Sequence, residues 1–254
     1  MLYFIGAGPG DKELITVKGS KLLAAADCII YAGSLINREL LAYAKEGCGL
    51  YDSAKMTLED VIEIVLENEK RDLITARLHT GDPSLYGAIR EQIDLLTAKG
   101  VKYEIVPGVS SFAGAAAVLG AEYTLPGVSQ TVILTRMEGR TPVPDRERIT
   151  ELARIRASMA IFLSSGMLPE LSLNLMEGGY PGNTSAALVY KATWPDEKII
   201  RTTIEGLPEA GAAHGVSKTA LILVGDFLGG EYERSNLYNP GFTHGYRTGK
   251  KSHE

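Results

Sequence analysis

Three strand–turn–helix junctions constrain the fold of this chain more than any other feature. Strand-like runs at residues 2–6, 72–78 and 103–106 each lead into a glycine-bearing turn, and a helical pattern follows each turn. Short strands that alternate with helices form a mostly parallel sheet with both faces covered. Because parallel strands end at the same edge of a sheet, the sequence predicts that the three turns lie together where such folds bind ligands.

The second half of the chain has a different pattern, in which strands outnumber helices. Residues 194–197 read as the turn of a hairpin between two strand-like runs. We therefore predict an α/β protein with two α/β domains, a mostly parallel N-terminal sheet and a mixed C-terminal sheet. The predicted domains are residues 1–118 and 119–230. The polar, glycine-rich residues 231–254 are predicted to form a mobile tail.

Composition argues against several classes of protein. The net charge of -5 disfavours general binding to nucleic acids. No uncharged apolar run reaches the roughly 18 residues that suggest a membrane-spanning helix, so no membrane association is predicted. The two cysteines, Cys28 and Cys48, have no metal-like spacing and indicate no disulfide framework. A reducing, cytoplasmic location and no protein-bound metal are therefore expected.

The first turn, at residues 6–11, is close to a dinucleotide-binding fingerprint. That fingerprint requires Gly-x-Gly-x-x-Gly, but Asp11 stands where the last glycine belongs. Pro9 also lacks the backbone N–H that would help to hold a pyrophosphate. A nicotinamide dehydrogenase stays an alternative, and the turn is interpreted either as a tight structural turn or as the wall of a ligand crevice.

The other two turns offer polar groups near helix starts. In the second turn, Asp82 precedes Pro83, and this pair is typical of a helix cap, which is compatible with ligand contact by Asp82. In the third turn, Ser110 or Ser111 offers a hydroxyl. His79 and His214 have no evident partner, and no Gly-x-Ser-x-Gly motif occurs. The chain is therefore expected to catalyse by positioning its reactants.

Taken together, four segments resemble the tetrapyrrole methyltransferase family, and the resemblance covers about residues 1–228. These segments are residues 6–11, 81–87, 107–111 and 192–195. The segments at residues 77–80, 129–136, 139–144 and 190–198 are similar to the branch that acts on precorrin-4 or cobalt-precorrin-4. The uroporphyrinogen branch carries Gly-Gly-Asp-Pro, whereas Thr80 replaces the first of these glycines here.

The resemblance implies a homodimeric enzyme of cobalamin biosynthesis that binds S-adenosylmethionine in the cleft between its two domains and releases S-adenosylhomocysteine. The residues that the family pattern assigns to the methyl donor are Pro9, Thr80, Gly81, Asp82, Leu85, Ser110, Ser111, Ser164, Ala192, Thr219 and Ala220. For Pro9 and Leu85, ordinary packing is the alternative.

The implied reaction is direct transfer of the sulfonium methyl to C11 of the ring. Donor and acceptor must lie about 3–3.5 Å apart and in line. C11 becomes quaternary and loses no proton, so a general base is unnecessary; if a ring nitrogen must lose a proton, Asp82 is the first candidate. Arg136, Arg140 and Lys191 are expected to bind the carboxylates of the substrate, since arginine binds carboxylates in a bidentate manner. For Arg140, a solvated surface charge is the alternative.

Two further functions remain open from the sequence. A sister methyltransferase would use the same donor site but act at another ring carbon. A non-catalytic tetrapyrrole carrier or sensor would need no donor site, and the intact turns at Gly81 and Gly108 argue against it. No residue indicates whether the substrate contains cobalt.

Overall fold

The computed structural model describes residues 1–249. Contacts within the chain divide it into two units. The first comprises Met1–Ala115 together with Lys191–Glu197, and the second comprises Ala116–Tyr190 and the chain from Lys198 onward. The short segment 191–197 therefore belongs to the first unit, although its neighbours on both sides belong to the second.

The first unit is built on a parallel sheet. Its elements are β1 (Leu2–Gly6), α1 (Val17–Ala25), β2 (Cys28–Tyr31), β3 (Gly49–Asp52), α2 (Leu58–Lys70), β4 (Thr75–His79), α3 (Ile89–Ala98), β5 (Tyr103–Val106) and the start of α4 (Ser111–Leu119). The strand order is β3-β2-β4-β1-β5, and each neighbouring pair is parallel. The predicted parallel sheet is confirmed.

Apolar side chains cover both faces of this sheet. On one face, Leu23 of α1 packs in a cluster with Ile5 and Leu78. On the other face, Val65 of α2 lies in a cluster with Phe4 and other strand residues. Alternate residues of a strand point to opposite faces, so the continuous apolar runs of β1 and β2 supply both clusters.

Several local predictions were wrong. The helix expected to follow Pro83 begins only at Ile89. Tyr86 and Ala88 have φ values of 55° and 48°, and this left-handed backbone cannot continue an α-helix. Asp82 is consequently not a helix cap. Residues 36–44, whose pattern favours an α-helix, instead contain a 3-10 helix (Arg38–Tyr43), and β3 lies where the sequence predicts no strand.

The second unit contains the mixed sheet that the sequence predicts. Its elements are β6 (Val132–Arg136), α5 (Ile149–Ala153), β7 (Ser158–Phe162), α6 (Leu168–Glu177), β8 (Ser185–Tyr190), β9 (Lys198–Thr203), α7 (Leu207–Ala213) and β10 (Ala220–Val224), with the strand order β6-β7-β10-β8-β9. Only the β6–β7 pair is parallel among these pairings. Strands β8 and β9 form the predicted hairpin, in which Tyr190 pairs with Lys198.

The second unit also contains the charged residues 145–154 and the C-terminal residues from 231 onward. The charged residues 145–154, whose pattern favours a single helix, form a 3-10 turn followed by the short α5. Residues 231–249 are largely exposed and contain a 3-10 turn at Asn236–Tyr238, whereas the last residues of the predicted mobile tail, 250–254, lie outside the described chain. Its mobility stays a prediction. Across residues 1–249, no helix is long and apolar enough to cross a membrane.

Candidate functional site

The first and second turns are joined by backbone hydrogen bonds. Because β1 and β4 are parallel neighbours, both turns leave the sheet at the same edge. The Ala7 N–H donates to the His79 carbonyl at 2.7 Å, which continues the pairing past the strand ends. Gly8 and Gly81 then exchange two hydrogen bonds, of 3.3 Å and 2.9 Å, in an isolated antiparallel bridge. The two turns therefore form one backbone platform.

Glycine is required where the third turn meets this platform. A Cβ atom on Gly6 would lie 2.5 Å from the Gly108 Cα, and one on Gly108 would lie 2.2 Å from the Gly81 carbonyl oxygen. Any side chain at either position would force backbone atoms apart. The prediction that the three turns gather at one edge is confirmed.

Asp82 links the second and third turns. Its Oδ2 accepts a hydrogen bond of 2.9 Å from the Gly108 N–H, and its Oδ1 accepts one of 2.8 Å from the Ser84 N–H and another from the Ser84 hydroxyl. Burial by itself raises the pKa of Asp82, but the bonds from Ser84 and Gly108 outweigh it, so the pKa lies below the ordinary value. The ionised carboxylate is thus a weak proton acceptor and a strong link between turns.

Other predicted donor contacts also lie around the turns of the first unit. Pro9 is buried, and Thr80 donates its hydroxyl hydrogen bond to the Leu35 carbonyl at 3.0 Å. Leu85 is half-buried, and its N–H donates to the Asp82 carbonyl at 3.2 Å. Ser110 is buried and Ser111 is half-buried at the start of α4; Ala192 is buried in the 191–197 segment.

The remaining donor contacts predicted lie in the second unit. Ser164 is fully buried, where its hydroxyl donates to the Phe162 carbonyl at 2.7 Å and accepts from the Met137 N–H at 2.9 Å. Thr219 is exposed with φ 58°, and Ala220 begins β10. The strand register places Ser164, Thr219 and Ala220 at the same end of the mixed sheet.

The predicted carboxylate-binding side chains differ in their surroundings. The Arg136 guanidinium donates to the Met137, Thr141 and Pro142 carbonyls at 2.8–3.1 Å, and these bonds use three of its five N–H donors. Arg140 is exposed. Lys191 lies in the first unit, 2.5 Å from an Asp196 carboxylate oxygen.

His79 is at the end of β4, but its ring points into the protein interior. It is 5% exposed, and its ring centroid lies 5.9 Å from that of Phe4. Within the described residues, its Nε2 has no hydrogen-bond partner. Burial, and secondly the Arg77 guanidinium, lower the pKa of His79 from 6.5 to about 3. His79 is therefore a neutral core residue near neutral pH.

Sequence reasoning missed two residues that hold the first turn. Asn37 donates from Nδ2 to the Gly10 carbonyl at 3.0 Å, and no motif marks it. Trp194 donates from Nε1 to the Pro9 carbonyl at 2.9 Å. Residues 192–195 belong to the family resemblance, but the sequence pattern assigns Trp194 only to a hairpin turn. In the part of the chain that the structure covers, residues 1–249, no cluster of three His, Cys, Asp or Glu side chains could hold a metal ion.

Comparison with known sequences gives matches over nearly the whole chain. Residues 1–208 match the model of the family described as Tetrapyrrole (Corrin/Porphyrin) Methylases. The cobalt-precorrin-4 C(11)-methyltransferase of Methanocaldococcus jannaschii is 51% identical over 251 residues, which are 98% of this chain and 96% of the relative. The precorrin-4 C(11)-methyltransferase of Pseudomonas aeruginosa is 45% identical over 250 residues, with coverage of 98% and 99%.

Solved structures give the same result. The X-ray structure of a cobalamin biosynthetic enzyme, cobalt precorrin-4 methyltransferase, superposes with a TM-score of 0.88 at 48% identity and covers 90% of this chain and 96% of its own. The uroporphyrin-III C-methyl transferase from Thermus thermophilus, complexed with S-adenyl homocysteine, has a TM-score of 0.75 at 25% identity, with coverage of 90% and 93%.

Proposed function

Because this chain belongs to the tetrapyrrole (corrin/porphyrin) methylase family, we propose that it transfers the methyl group of S-adenosylmethionine to C11 of precorrin-4 or cobalt-precorrin-4 in cobalamin biosynthesis. The structural observation that carries this proposal is the close approach of the three turns, in which Gly8 pairs with Gly81, Gly108 lies against Gly6 and Gly81, and Asp82 links the second and third turns. The turns form a rigid backbone surface at the edge where open α/β sheets bind ligands.

The charge of the three turns fits a sulfonium donor better than a dinucleotide. Residues 6–11, 79–88 and 107–111 contain no lysine or arginine but include Asp11 and Asp82. The lowered pKa of Asp82 keeps its carboxylate ionised. A cationic sulfonium is attracted to such a surface, whereas a pyrophosphate would meet like charge. This argues against the nicotinamide alternative, as does the proline at position 9.

The proposed donor contacts are those of the family pattern. In the first unit they are Pro9, Thr80, Gly81, Asp82, Leu85, Ser110, Ser111 and Ala192. In the second unit they are Ser164, Thr219 and Ala220. Buried backbone and small side chains can hold an adenosyl group by shape and hydrogen bonds without a reactive side chain of their own.

When bound, S-adenosylmethionine supplies an activated methyl group, and the residues of this chain orient the two reactants. Orientation of this kind can contribute about 7–11 kcal/mol to lowering a barrier. Asp82, named from the sequence as a proton acceptor, is proposed here mainly as a link between turns, since its oxygens already accept three hydrogen bonds. The electron-rich ring is itself the nucleophile, and methylation of C11 releases no proton from that carbon.

We also propose that Arg136, Arg140 and Lys191 bind carboxylates of the macrocycle. Arg136 has two N–H donors left after its bonds to the 137–142 loop, and exposed Arg140 belongs to that loop. Substrate titration of Arg136→Ala and Arg140→Ala at several salt concentrations tests this, with exposed Arg90→Ala of the first unit as the control. Unchanged substrate affinity in both variants would contradict the proposal.

The activity is tested with defined precorrin-4 and cobalt-precorrin-4, S-adenosylmethionine with an isotope-labelled methyl group, and purified full-length protein. The expected product carries one added methyl group by mass spectrometry, and nuclear magnetic resonance places it at C11. A methyl group on another ring carbon would favour a sister methyltransferase. Binding of the macrocycle without binding of S-adenosylhomocysteine would favour a carrier.

The wider organisation of the protein is proposed on the same basis. We expect a cytoplasmic homodimer with no nucleic-acid or membrane partner and with residues 1–118 and 119–230 as its two domains. Sedimentation equilibrium over a range of concentrations tests the dimer, and limited proteolysis followed by mass analysis tests the domain boundary.

A further inference from the structure

Residues 191–197, the connection between β8 and β9, contact the first turn by two hydrogen bonds. The Trp194 indole N–H donates to the Pro9 carbonyl at 2.9 Å, and the Thr193 hydroxyl oxygen accepts from the Asp11 N–H at 3.0 Å. We call these residues the 191–197 clamp. Its two bonds fix the backbone on both sides of Gly10.

The indole ring also closes the space beside Gly10. A Cβ atom on Gly10 would lie only 2.1 Å from Cδ1 of Trp194 and 2.5 Å from its Nε1. The neighbouring Pro9 ring packs closely on α4, where a Cβ atom on Gly114 would lie 3.0 Å from the Pro9 Cγ. Gly10 is therefore packed against the indole ring and the Pro9 ring against α4, so neither residue can shift far without displacing one of these neighbours.

The clamp is itself held in an unfavourable backbone conformation. Lys191 and Thr193 have φ values of 48° and 68°, in the left-handed region that side chains disfavour. The Thr193 N–H donates to the Glu197 carboxylate at 2.5 Å, and the Lys191 ammonium pairs with Asp196 and lies 5.4 Å from the centroid of the Trp194 ring. Backbone strain of this kind persists only where surrounding contacts hold it in place, and it is concentrated at functional sites.

We propose that Trp194 is a positioning residue for the methyl donor, which acts by fixing the Pro9–Gly10 peptide of the first turn. This inference rests on the proposed function, because it assigns to Pro9 a contact with the donor. Trp194 contributes through Pro9 and does not take part in the chemical step. Loss of its N–H therefore weakens donor binding and leaves the binding of the macrocycle unchanged.

The variant Trp194→Phe keeps an aromatic ring but removes the N–H. We expect the Kd for S-adenosylhomocysteine, measured by calorimetry, and the KM for S-adenosylmethionine to rise about tenfold, which corresponds to about 1.4 kcal/mol. The KM for the macrocycle stays unchanged. The matched control is Tyr180→Phe in the second unit, which also removes one ring donor bonded to a buried backbone carbonyl, that of Ala157. It lowers the stability of the fold without changing the donor Kd.

Trp194 is the single tryptophan of the chain, so the unaltered protein supplies an independent measurement. Titration with S-adenosylhomocysteine should change its fluorescence emission with the Kd found by calorimetry. If the wild-type protein binds S-adenosylhomocysteine but the emission does not change, or if Trp194→Phe folds and binds with wild-type affinity, the positioning role is overturned and the proposed function is not. If the wild-type protein does not bind S-adenosylhomocysteine, the proposed function fails and this inference fails with it.

Discussion

Burial of His79 makes the stability of the fold depend on pH in a way that can be calculated. In the folded chain its pKa is about 3, because of burial and the nearby Arg77 guanidinium, whereas the ordinary value is 6.5. Between about pH 6.5 and 3, His79 is protonated in the unfolded chain but neutral in the folded chain. The contribution of neutral His79 to stability is therefore fully present above pH 6.5 and is lost as the pH falls towards 3.

The size of the effect follows from the two pKa values. At pH 5 an unfolded histidine with its ordinary pKa is mostly protonated, and this stabilises the unfolded chain by about 2 kcal/mol, while the folded chain gains almost nothing. The full difference between the two pKa values corresponds to an upper limit of about 5 kcal/mol at still lower pH. Carboxylates titrate in the same range, so the contribution of His79 must be isolated by comparison with a variant.

The assay is urea unfolding of the wild-type protein and His79→Asn at several pH values between about 8 and 5. On acidification, the wild type should lose about 2 kcal/mol more unfolding free energy than the variant. The variant His214→Asn, which removes an exposed histidine at the end of α7, should follow the wild type. Parallel pH profiles for the wild type and His79→Asn would refute the reasoning.

Three other changes have defined outcomes. Thr57→Ala removes the capping box of α2 and should lower the free energy of unfolding by about 1 kcal/mol in urea titration, with Thr57→Ser recovering most of the loss. Gly108→Ala places a Cβ atom 2.2 Å from the Gly81 carbonyl oxygen, so the free energy of unfolding should fall by about 1–3 kcal/mol. Affinity for S-adenosylhomocysteine should fall as well. The control Gly230→Ala, whose Cβ atom meets open space, should change neither quantity. Asp82→Asn replaces the two carboxylate oxygens, each of which accepts from a backbone N–H, with one amide oxygen and one amide nitrogen. One N–H then loses its acceptor, and calorimetry should show S-adenosylhomocysteine binding about tenfold weaker. Wild-type affinity in the last two variants would show that the link between the turns is dispensable.

Local sequence determined much of the first unit. Gly6 ends β1, Gly81 follows β4 after one intervening residue, and Thr57 and Asp60 have the spacing of a capping box, which the structure contains at the start of α2. These signals depend on residues a few positions apart, so they can be read along the chain. That the turns share one edge followed from the parallel arrangement, whereas their contact depends on β4 and β5 lying on either side of β1.

The site's detailed contacts depended on the tertiary structure. Asp82 accepts from Gly108, 26 residues away, and Trp194 donates to Pro9, 185 residues away. Tyr86 and Ala88 adopt a left-handed backbone that their side chains do not favour, and this moved the start of α3 to Ile89. Hydrogen bonds between distant segments and backbone strain imposed by packing have no signature in local sequence, because each depends on atoms that only folding brings together.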